Sequence, residues 1–304
     1  MSALRRSTLR LANALGVEQQ AHVATRKAEY ARVTVLRLSI LLAELMGLDA
    51  PKARRTLSGL PKYVRDAMAY GRLAGPEGSF ALRLRDLYPV LGEHRAAAGC
   101  MTGHYFHQDL WAARRIFEAA PAHHVDVGSR IDGFIAHLLT FRSATVIDIR
   151  PPSDHVDGLH FIVDDATHLS GIEDASLESV SCLHAVEHFG LGRYGEPVDP
   201  FAAQKAMAAL SRVLRPGGRL YFAVPVGRER LMFNEHRVFA PSTVLDAFSG
   251  LTLVSFAVVD DAGHLKLARD PRDYSKAEYS CGLFEFVKPH RSDESAVLQG
   301  TTAT

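Results

Sequence analysis

Short apolar runs alternate with amphipathic segments over most of the chain after residue 104. The apolar runs predict seven strands, at 123–128, 144–150, 159–166, 177–184, 218–226, 251–260 and 281–288. Apolar residues recur at helical spacing near 104–120, 132–142, 201–213 and 241–249. Near-continuous apolar strands separated by helices are typical of a mostly parallel sheet that is covered on both faces. The pattern therefore predicts a doubly wound α/β fold, in which the last two strands form an antiparallel pair at the edge.

The first part of the chain has a different pattern, in which apolar residues return at helical spacing. This pattern predicts helices near 3–16, 19–46 and 61–70, and the turn-rich segment 71–79 follows them. The most apolar stretch, 33–48, is too short to span a membrane and contains Arg37 and Glu44. We expect a helical N-terminal extension over 1–103, a main domain over 104–290 and a flexible tail over 291–304.

Charge is distributed unevenly along the 304 residues, although the net charge is only +1. Residues 1–70 contain 12 Lys and Arg against 5 Asp and Glu, whereas residues 71–304 contain 23 against 29. Two interpretations of the basic segment stay open. It forms a helix that docks on a membrane surface or a partner, or it is the solvated face of the helical extension. Because the main domain is acidic, a nucleic-acid partner is disfavoured.

Three cysteines, Cys100, Cys182 and Cys281, are too few and too widely spaced for a disulfide framework or a cysteine zinc site. The first residues also lack the long apolar core and the cleavage site of a signal peptide. We therefore predict a cytoplasmic protein, with the inner membrane face as an alternative location if the basic helices dock there.

The first strand of the main domain leads into the sequence Asp126-Val127-Gly128-Ser129-Arg130-Ile131-Asp132-Gly133. Gly128 suits a tight turn, and Gly133 suits close packing of the next helix. In a dinucleotide fingerprint, the position of Arg130 is a glycine that lets the backbone approach a pyrophosphate. Arginine there counts against a nicotinamide or flavin dinucleotide, and therefore against a nicotinamide oxidoreductase.

Acidic residues end the next two strands. Asp148 lies twenty residues after Gly128, where a carboxylate commonly accepts hydrogen bonds from ribose hydroxyls. Asp164, Asp165 and Ala166 end the third strand, and a carboxylate there could reach an adenine amino group. Each acid could instead cap a helix or lie on the surface. Together with the glycine turn, they predict a pocket for a ligand that contains adenosine.

Ionisable residues follow the fourth and fifth strands. His184, Glu187 and His188 follow the fourth strand, and His236 follows the fifth. At strand ends these residue types suit a general base or a group that orients one. Their spacing also resembles a metal-ligand set, but no independent ligand cluster supports it, so we predict no metal site.

The order of these motifs resembles that of class I S-adenosylmethionine-dependent methyltransferases. The resemblance covers roughly 105–290 and depends on HVDVGSRIDG, VIDIR, DDATHL, CLHAVEHF and LRPGGRLYFAVP. EHFGLGRYG and FNEHRVFAP are similar to a bacterial family of domains of unknown function that is often linked with glycan gene clusters. The resemblance implies a Rossmann-like sheet and S-adenosyl-L-methionine as cofactor.

The resemblance also implies a role for each matching residue. Asp126, Gly128 and Gly133 would form the loop under the methionine moiety, with Ser129 and Arg130 between them, Asp148 would bind the ribose, and Asp165 and Ala166 the adenine. The acceptor would be a glycan, a nucleotide sugar or another small hydroxylated metabolite. We expect its base to be His184 or His188 first, then Glu187 or His236.

The chain departs from that family at two loop positions, where Arg130 and Asp132 replace glycines. Arg130 would contact the methionine carboxylate, or it would point outward while backbone amides do so. The departure also permits a protein that keeps the fold and binds S-adenosylmethionine, or acts as a scaffold, without catalysis.

Overall fold

The computed structural model describes residues 50–77, 80–93, 97–99, 101–152, 154–268 and 270–290. The predicted helices 3–16 and 19–46 and the tail 291–304 lie outside these residues. Two compact units divide the chain, residues Met1–Gly99 and Cys100–Thr304. No helix in the described part of the chain is long and apolar enough to cross a membrane.

The described part of the first unit is one long helix, α1 (Ala50–Ala74), and a 3₁₀ turn at Leu84–Asp86. The helix starts earlier than the predicted 61–70 and continues through Pro61. A Cβ atom on Gly59 would lie 1.9 Å from the Leu91 carbonyl oxygen, so only glycine fits there. A cavity of about 500 Å³ in this unit lies between α1 and residues 82–91.

All the strands of the described residues lie in the second unit. They are β1 (Val125–Val127), β2 (Ala144–Asp148), β3 (Leu159–Val163), β4 (Leu177–Leu183), β5 (Leu214–Val226), β6 (Arg230–Met232), β7 (His236–Val238), β8 (Thr252–Val259), β9 (Leu265–Ala268) and β10 (Ser280–Val287). Its helices are α2 (His104–Ala119), α3 (Ala136–Leu138), α4 (Ala202–Val213) and α5 (Pro241–Ala247).

Eight strands form one sheet in the order β3-β2-β1-β4-β5-β10-β8-β9, and β6 and β7 form a separate ribbon. The strands from β3 to β5 are parallel, whereas β10 is antiparallel to both β5 and β8. This arrangement confirms the predicted doubly wound, mostly parallel α/β fold and the antiparallel pairing of the last two predicted strands. The strand β9 was not predicted, because its sequence is short and exposed.

Buried side chains form two clusters, one on each face of the sheet. One cluster contains Met207 and Leu210 of α4, and the other contains Trp111 and Ile116 of α2. Burial of each large apolar side chain stabilises the fold by about 1.5–3 kcal/mol. The two clusters therefore hold helices on both faces of the sheet, as a doubly wound fold requires.

The helix after β1 differs from the prediction of 132–142. A π-helical turn at Ile131–Ile135 continues into the short α3, and residues 139–142 form a turn that leads into β2. A Cβ atom on Gly133 would lie 2.4 Å from Asp109 Oδ2, so any other residue there would displace the Asp109 side chain.

Strand order reverses direction between β1 and β4, because the chain adds β2 and β3 on one side of β1 and β4 and β5 on the other. Ligands of such sheets bind beyond the carboxyl ends of the strands at this reversal. The loops that follow β1 and β4 therefore define the region in which a site is expected.

Candidate functional site

The loop after β1 is held by the buried carboxylate of Asp126. The Ser129 backbone N–H donates to Asp126 Oδ2 at 2.9 Å, and the Ser129 and Ser181 hydroxyls donate to Oδ1 at 2.6 and 2.5 Å. The Leu183 N–H donates to Ser129 Oγ at 3.0 Å. Asp126 and Ser129 thus connect the β1 loop to β4, and their polar atoms form hydrogen bonds with other groups of the protein.

Gly128 makes the turn of this loop. Its φ of +73° is a left-handed conformation that side chains with a Cβ rarely adopt. A Cβ atom there would lie 3.1 Å from Ala185 Cβ and 3.5 Å from Phe189 Cζ, so the loop packs tightly against the residues after β4. Glycine at this position therefore brings the β1 and β4 loops into contact.

Asp126 is expected to make stability depend on pH. Burial raises its pKa from 3.8 to about 6, although hydrogen bonds from Ser129 and Ser181 oppose the shift. The folded state therefore holds this proton more tightly than the unfolded state does. The resulting stabilisation is complete below pH 3.8 and is lost as the pH rises through 6, a change of about 3 kcal/mol at 1.36 kcal/mol per pKa unit.

Urea unfolding between pH 4 and 7 would test this pH dependence by comparing the natural protein with Asp126→Asn, whose side chain stays neutral. The stability of the natural protein relative to the variant should fall by about 2 kcal/mol over this pH range. Asp157→Asn, at a fully exposed carboxylate, provides the control. A difference that does not change with pH would show that Asp126 titrates normally.

The side chain of Arg130 is paired with a neighbouring acid. Its guanidinium binds the Asp132 carboxylate at 3.1 and 2.7 Å and lies 4.9 Å from the centre of the Tyr105 ring. More than half of the arginine side chain is exposed. Arg130 and Asp132 therefore satisfy each other's charge.

The acids that end β2 and β3 have different surroundings. Asp148, 14% exposed, accepts hydrogen bonds from the backbone N–H and the guanidinium of Arg150, which also stacks on Tyr194 at 4.3 Å. Asp165 accepts hydrogen bonds from the N–H and hydroxyl of Thr167 and caps its own turn beside the buried Ala166. Both residues lie where the sequence predicts, and both carboxylates have partners within the chain.

His184 follows β4 in a left-handed conformation, with φ +50°. Its Nδ1 lies 2.9 Å from Glu187 Oε1 in a bent contact, and its Nε2 lies 3.0 Å from His104 Nδ1. Burial opposes a charge on His184, but the neighbouring Cys281 and Glu187 raise its pKa well above the usual range. Both ring nitrogens thus face other side chains of the protein, so His184 is poorly placed to receive a proton from a bound molecule.

Glu187 is the centre of the predicted histidine group. Its Oε1 also lies 3.8 Å from His188 Nε2, and His188 Nδ1 donates to the Glu235 carbonyl at 2.6 Å. His236 is buried, with its Nδ1 3.6 Å from Glu235 Oε2. The four residues predicted from two separate strand ends, His184, Glu187, His188 and His236, thus lie around one region.

Three atoms in this region are buried without hydrogen bonds among the described residues. They are His184 Nδ1, which has only the bent contact with Glu187, and Glu187 Oε2 and His236 Nε2. Burial lowers the pKa of His236, so its ring is neutral at pH 7. Buried polar atoms without partners are rare in folded proteins and are typical of sites that bind something else. His236 Nε2 is therefore the strongest candidate for accepting a proton.

Sequence reasoning missed the contribution of α2 and of the segment before β10. His104 and Tyr105 begin α2, and the Tyr105 ring contacts His184 edge-on at 5.1 Å between centroids. Tyr279 stacks on His104 at 4.9 Å and lies 5.0 Å from the His236 ring. The available signal was the polar face formed by His104, Tyr105, Gln108 and Asp109 at helical spacing in HYFHQD.

Comparison with known proteins gives one family match. The profile of a family described as "Caenorhabditis protein of unknown function, DUF268" matches residues 164–277, which is less than half of the chain. No curated protein matches the sequence. The family description mentions neither bacteria nor glycans, so the predicted membership of a bacterial family linked with glycan gene clusters stays a prediction.

Solved structures with a similar arrangement include two N-methyltransferases, each crystallised with S-adenosylhomocysteine. The 1,6-didemethyltoxoflavin-N1-methyltransferase of Burkholderia thailandensis is 16% identical over 60% of this chain and 79% of that chain, with a TM-score of 0.45. NodS of Bradyrhizobium japonicum is 17% identical over 62% and 89%, with a TM-score of 0.42. At these values, the likeness carries no argument about the activity of this chain.

Proposed function

We propose that this protein is an S-adenosylmethionine-dependent methyltransferase that methylates a hydroxyl group of a glycan, a sugar or another small hydroxylated metabolite. The observation that carries the proposal is the division of the site at the strand reversal. A carboxylate and a glycine turn lie on the β1 and β2 side, and a buried histidine with a free nitrogen lies beyond β4 and β5. A nucleoside would occupy the first side and the acceptor the second.

The residues on the first side fit the nucleoside half of S-adenosylmethionine. Asp148 ends β2 beside the β1 loop and keeps part of its carboxylate exposed, where ribose hydroxyls could donate to it. Asp165 and Ala166 would lie at the adenine. Because Arg130 is paired with Asp132, we do not assign it to the methionine carboxylate. The bound cofactor would supply a methyl group on a sulfonium sulfur, which is a good leaving group.

The residues on the second side would prepare the acceptor. A sugar hydroxyl is a weak nucleophile, so a group that removes its proton accelerates transfer. We assign this role to His236, because burial lowers the pKa of its ring and its buried Nε2 has no partner among the described residues. Glu187 would orient the acceptor through its free Oε2. His184 becomes a positioning residue, because His104 and Glu187 engage both of its nitrogens.

Calorimetry with S-adenosylmethionine, followed by transfer of a labelled methyl group, tests the proposal. Small-molecule and polysaccharide fractions of cells would serve as acceptors. We expect S-adenosylmethionine to bind and the label to appear in products of hydroxylated acceptors. The labelled bond should resist conditions that cleave methyl esters. Binding without transfer to any fraction would instead favour an inactive S-adenosylmethionine-binding or scaffold protein. Absence of binding would contradict both functions.

A further inference from the structure

A cluster of three side chains that bind soft metals lies beside the proposed acceptor region. His104 begins α2, His184 follows β4, and Cys281 is near the start of β10. One ligand atom from each residue lies within 4.8 Å of the other two. His184 and Cys281 are buried, and His104 is partly buried. Three distant segments of the second unit thus converge on one small volume.

Hydrogen bonding fixes the proton on His104. Its Nε2 lies 3.1 Å from the Tyr279 carbonyl oxygen. A carbonyl oxygen can only accept, so Nε2 must carry the proton. In a neutral imidazole the other nitrogen then carries a lone pair. The lone pair of His104 Nδ1 is therefore directed at His184.

The carboxylate of Glu187 orients the His184 ring from its other side. Glu187 Oε1 lies 2.9 Å from His184 Nδ1, and a carboxylate favours a proton on that nitrogen. The neutral form of His184 then has its lone pair on Nε2, which is 3.0 Å from His104 Nδ1. At this distance either a proton or a metal ion lies between the two nitrogens.

Cys281 supplies a third ligand, and its thiol makes only long hydrogen bonds within the described part of the protein. Its sulfur lies 3.9 Å from Gln108 Oε1 and 3.9 Å from the Gly282 carbonyl, both of which are long contacts. A thiolate and two imidazoles form a ligand set that zinc accepts, usually with a fourth position for water or substrate. Hard cations such as Mg²⁺ prefer oxygen ligands and do not suit this set.

We propose that His104 Nδ1, His184 Nε2 and Cys281 Sγ bind a zinc ion with an open fourth position. Zinc–nitrogen bonds of about 2.0–2.1 Å in a tetrahedral site separate the two nitrogens by about 3.3 Å, so the rings move apart by only a few tenths of an ångström. The Tyr279 carbonyl and the Glu187 carboxylate orient the two rings as outer partners. This site goes beyond the proposed methyl transfer and does not depend on it.

The test measures metal binding by the full-length protein after treatment with a chelator. Zinc would be titrated against a chromophoric chelator, and cobalt would be added as a spectroscopic probe of thiolate ligation. We expect one zinc per chain and a cobalt–thiolate charge-transfer band. Cys281→Ser should abolish that band, His104→Ala should weaken zinc binding at least about tenfold, and Glu187→Gln should weaken it about tenfold through the outer shell.

Matched variants separate this site from other cysteines and histidines of the chain. Cys100→Ser, Cys182→Ser and His264→Ala should bind zinc and cobalt as the natural protein does. Thermal unfolding of every variant would exclude loss of the fold as the cause of lost binding. Absence of zinc binding, or binding that survives both Cys281→Ser and His104→Ala, would overturn the proposal and leave a shared proton between the rings.

Discussion

Replacement of His236 by alanine is expected to lower the rate of methyl transfer about 100- to 1,000-fold, with the affinity for S-adenosylmethionine unchanged. This is the usual size of a contribution from general-base catalysis. The expectation follows from the buried Nε2, which has no partner among the described residues, and from the pKa of His236, which burial lowers. At pH 7 this nitrogen is ready to accept the proton of a hydroxyl group.

Labelled methyl transfer at saturating cofactor would measure this effect, and calorimetry would measure cofactor binding separately. His264→Ala removes an exposed histidine and should leave both quantities unchanged. As the pH is lowered, the rate of the natural enzyme should fall only below the usual range of histidine pKa values. The rate of the variant should not show this fall. A variant that keeps half of the natural rate would remove His236 from the mechanism.

Replacement of Asp148 by alanine is expected to weaken S-adenosylmethionine binding about 10- to 100-fold. Hydrogen bonds to a charged group contribute about 1.5–3 kcal/mol, which corresponds to this range. The carboxylate ends β2 beside the β1 loop, and Arg150 already occupies part of it. We expect ribose hydroxyls to replace the guanidinium while the backbone hydrogen bond remains.

Arg150→Ala distinguishes ribose binding from a purely structural role of Asp148. If the carboxylate binds ribose, removal of the competing guanidinium should keep or tighten the affinity measured by calorimetry. If Asp148 acts only by holding Arg150 against Tyr194, both variants should lose affinity equally, and the ribose assignment would be wrong. Thermal unfolding of each variant would show whether the β2 end stays folded.

The hydrophobic pattern was sufficient to predict the sheet, because burial on both faces forces near-continuous apolar strands. The same pattern located Asp148 and His184 at strand ends, since polar residues become frequent where a buried strand reaches the edge of the core. The strand β9 escaped prediction because it lies at the edge of the sheet and needs few apolar residues. Assignment of the site residues to cofactor and acceptor stays a prediction.

Contacts between distant segments could not be predicted from the sequence. His104 and His184 are 80 residues apart, and nothing in either local sequence indicates that their ring nitrogens meet. The expectation of no metal site rested on neighbouring residues after β4, whereas the possible ligands come from three elements. The contact of the Arg130 guanidinium with the Tyr105 ring likewise joins the loop to a residue of α2, far away in the sequence.

The position of β10 in the sheet determines when the sheet can be completed during synthesis of the chain. The strands β8 and β9 join the rest of the sheet only through β10, which follows them in the chain. Until the ribosome has released residue 287, the edge of β5 is unpaired, and an unpaired edge invites association with other chains. A nascent chain stopped before residue 280 would therefore need a chaperone, and Cys281 would be the last member of its cluster to arrive.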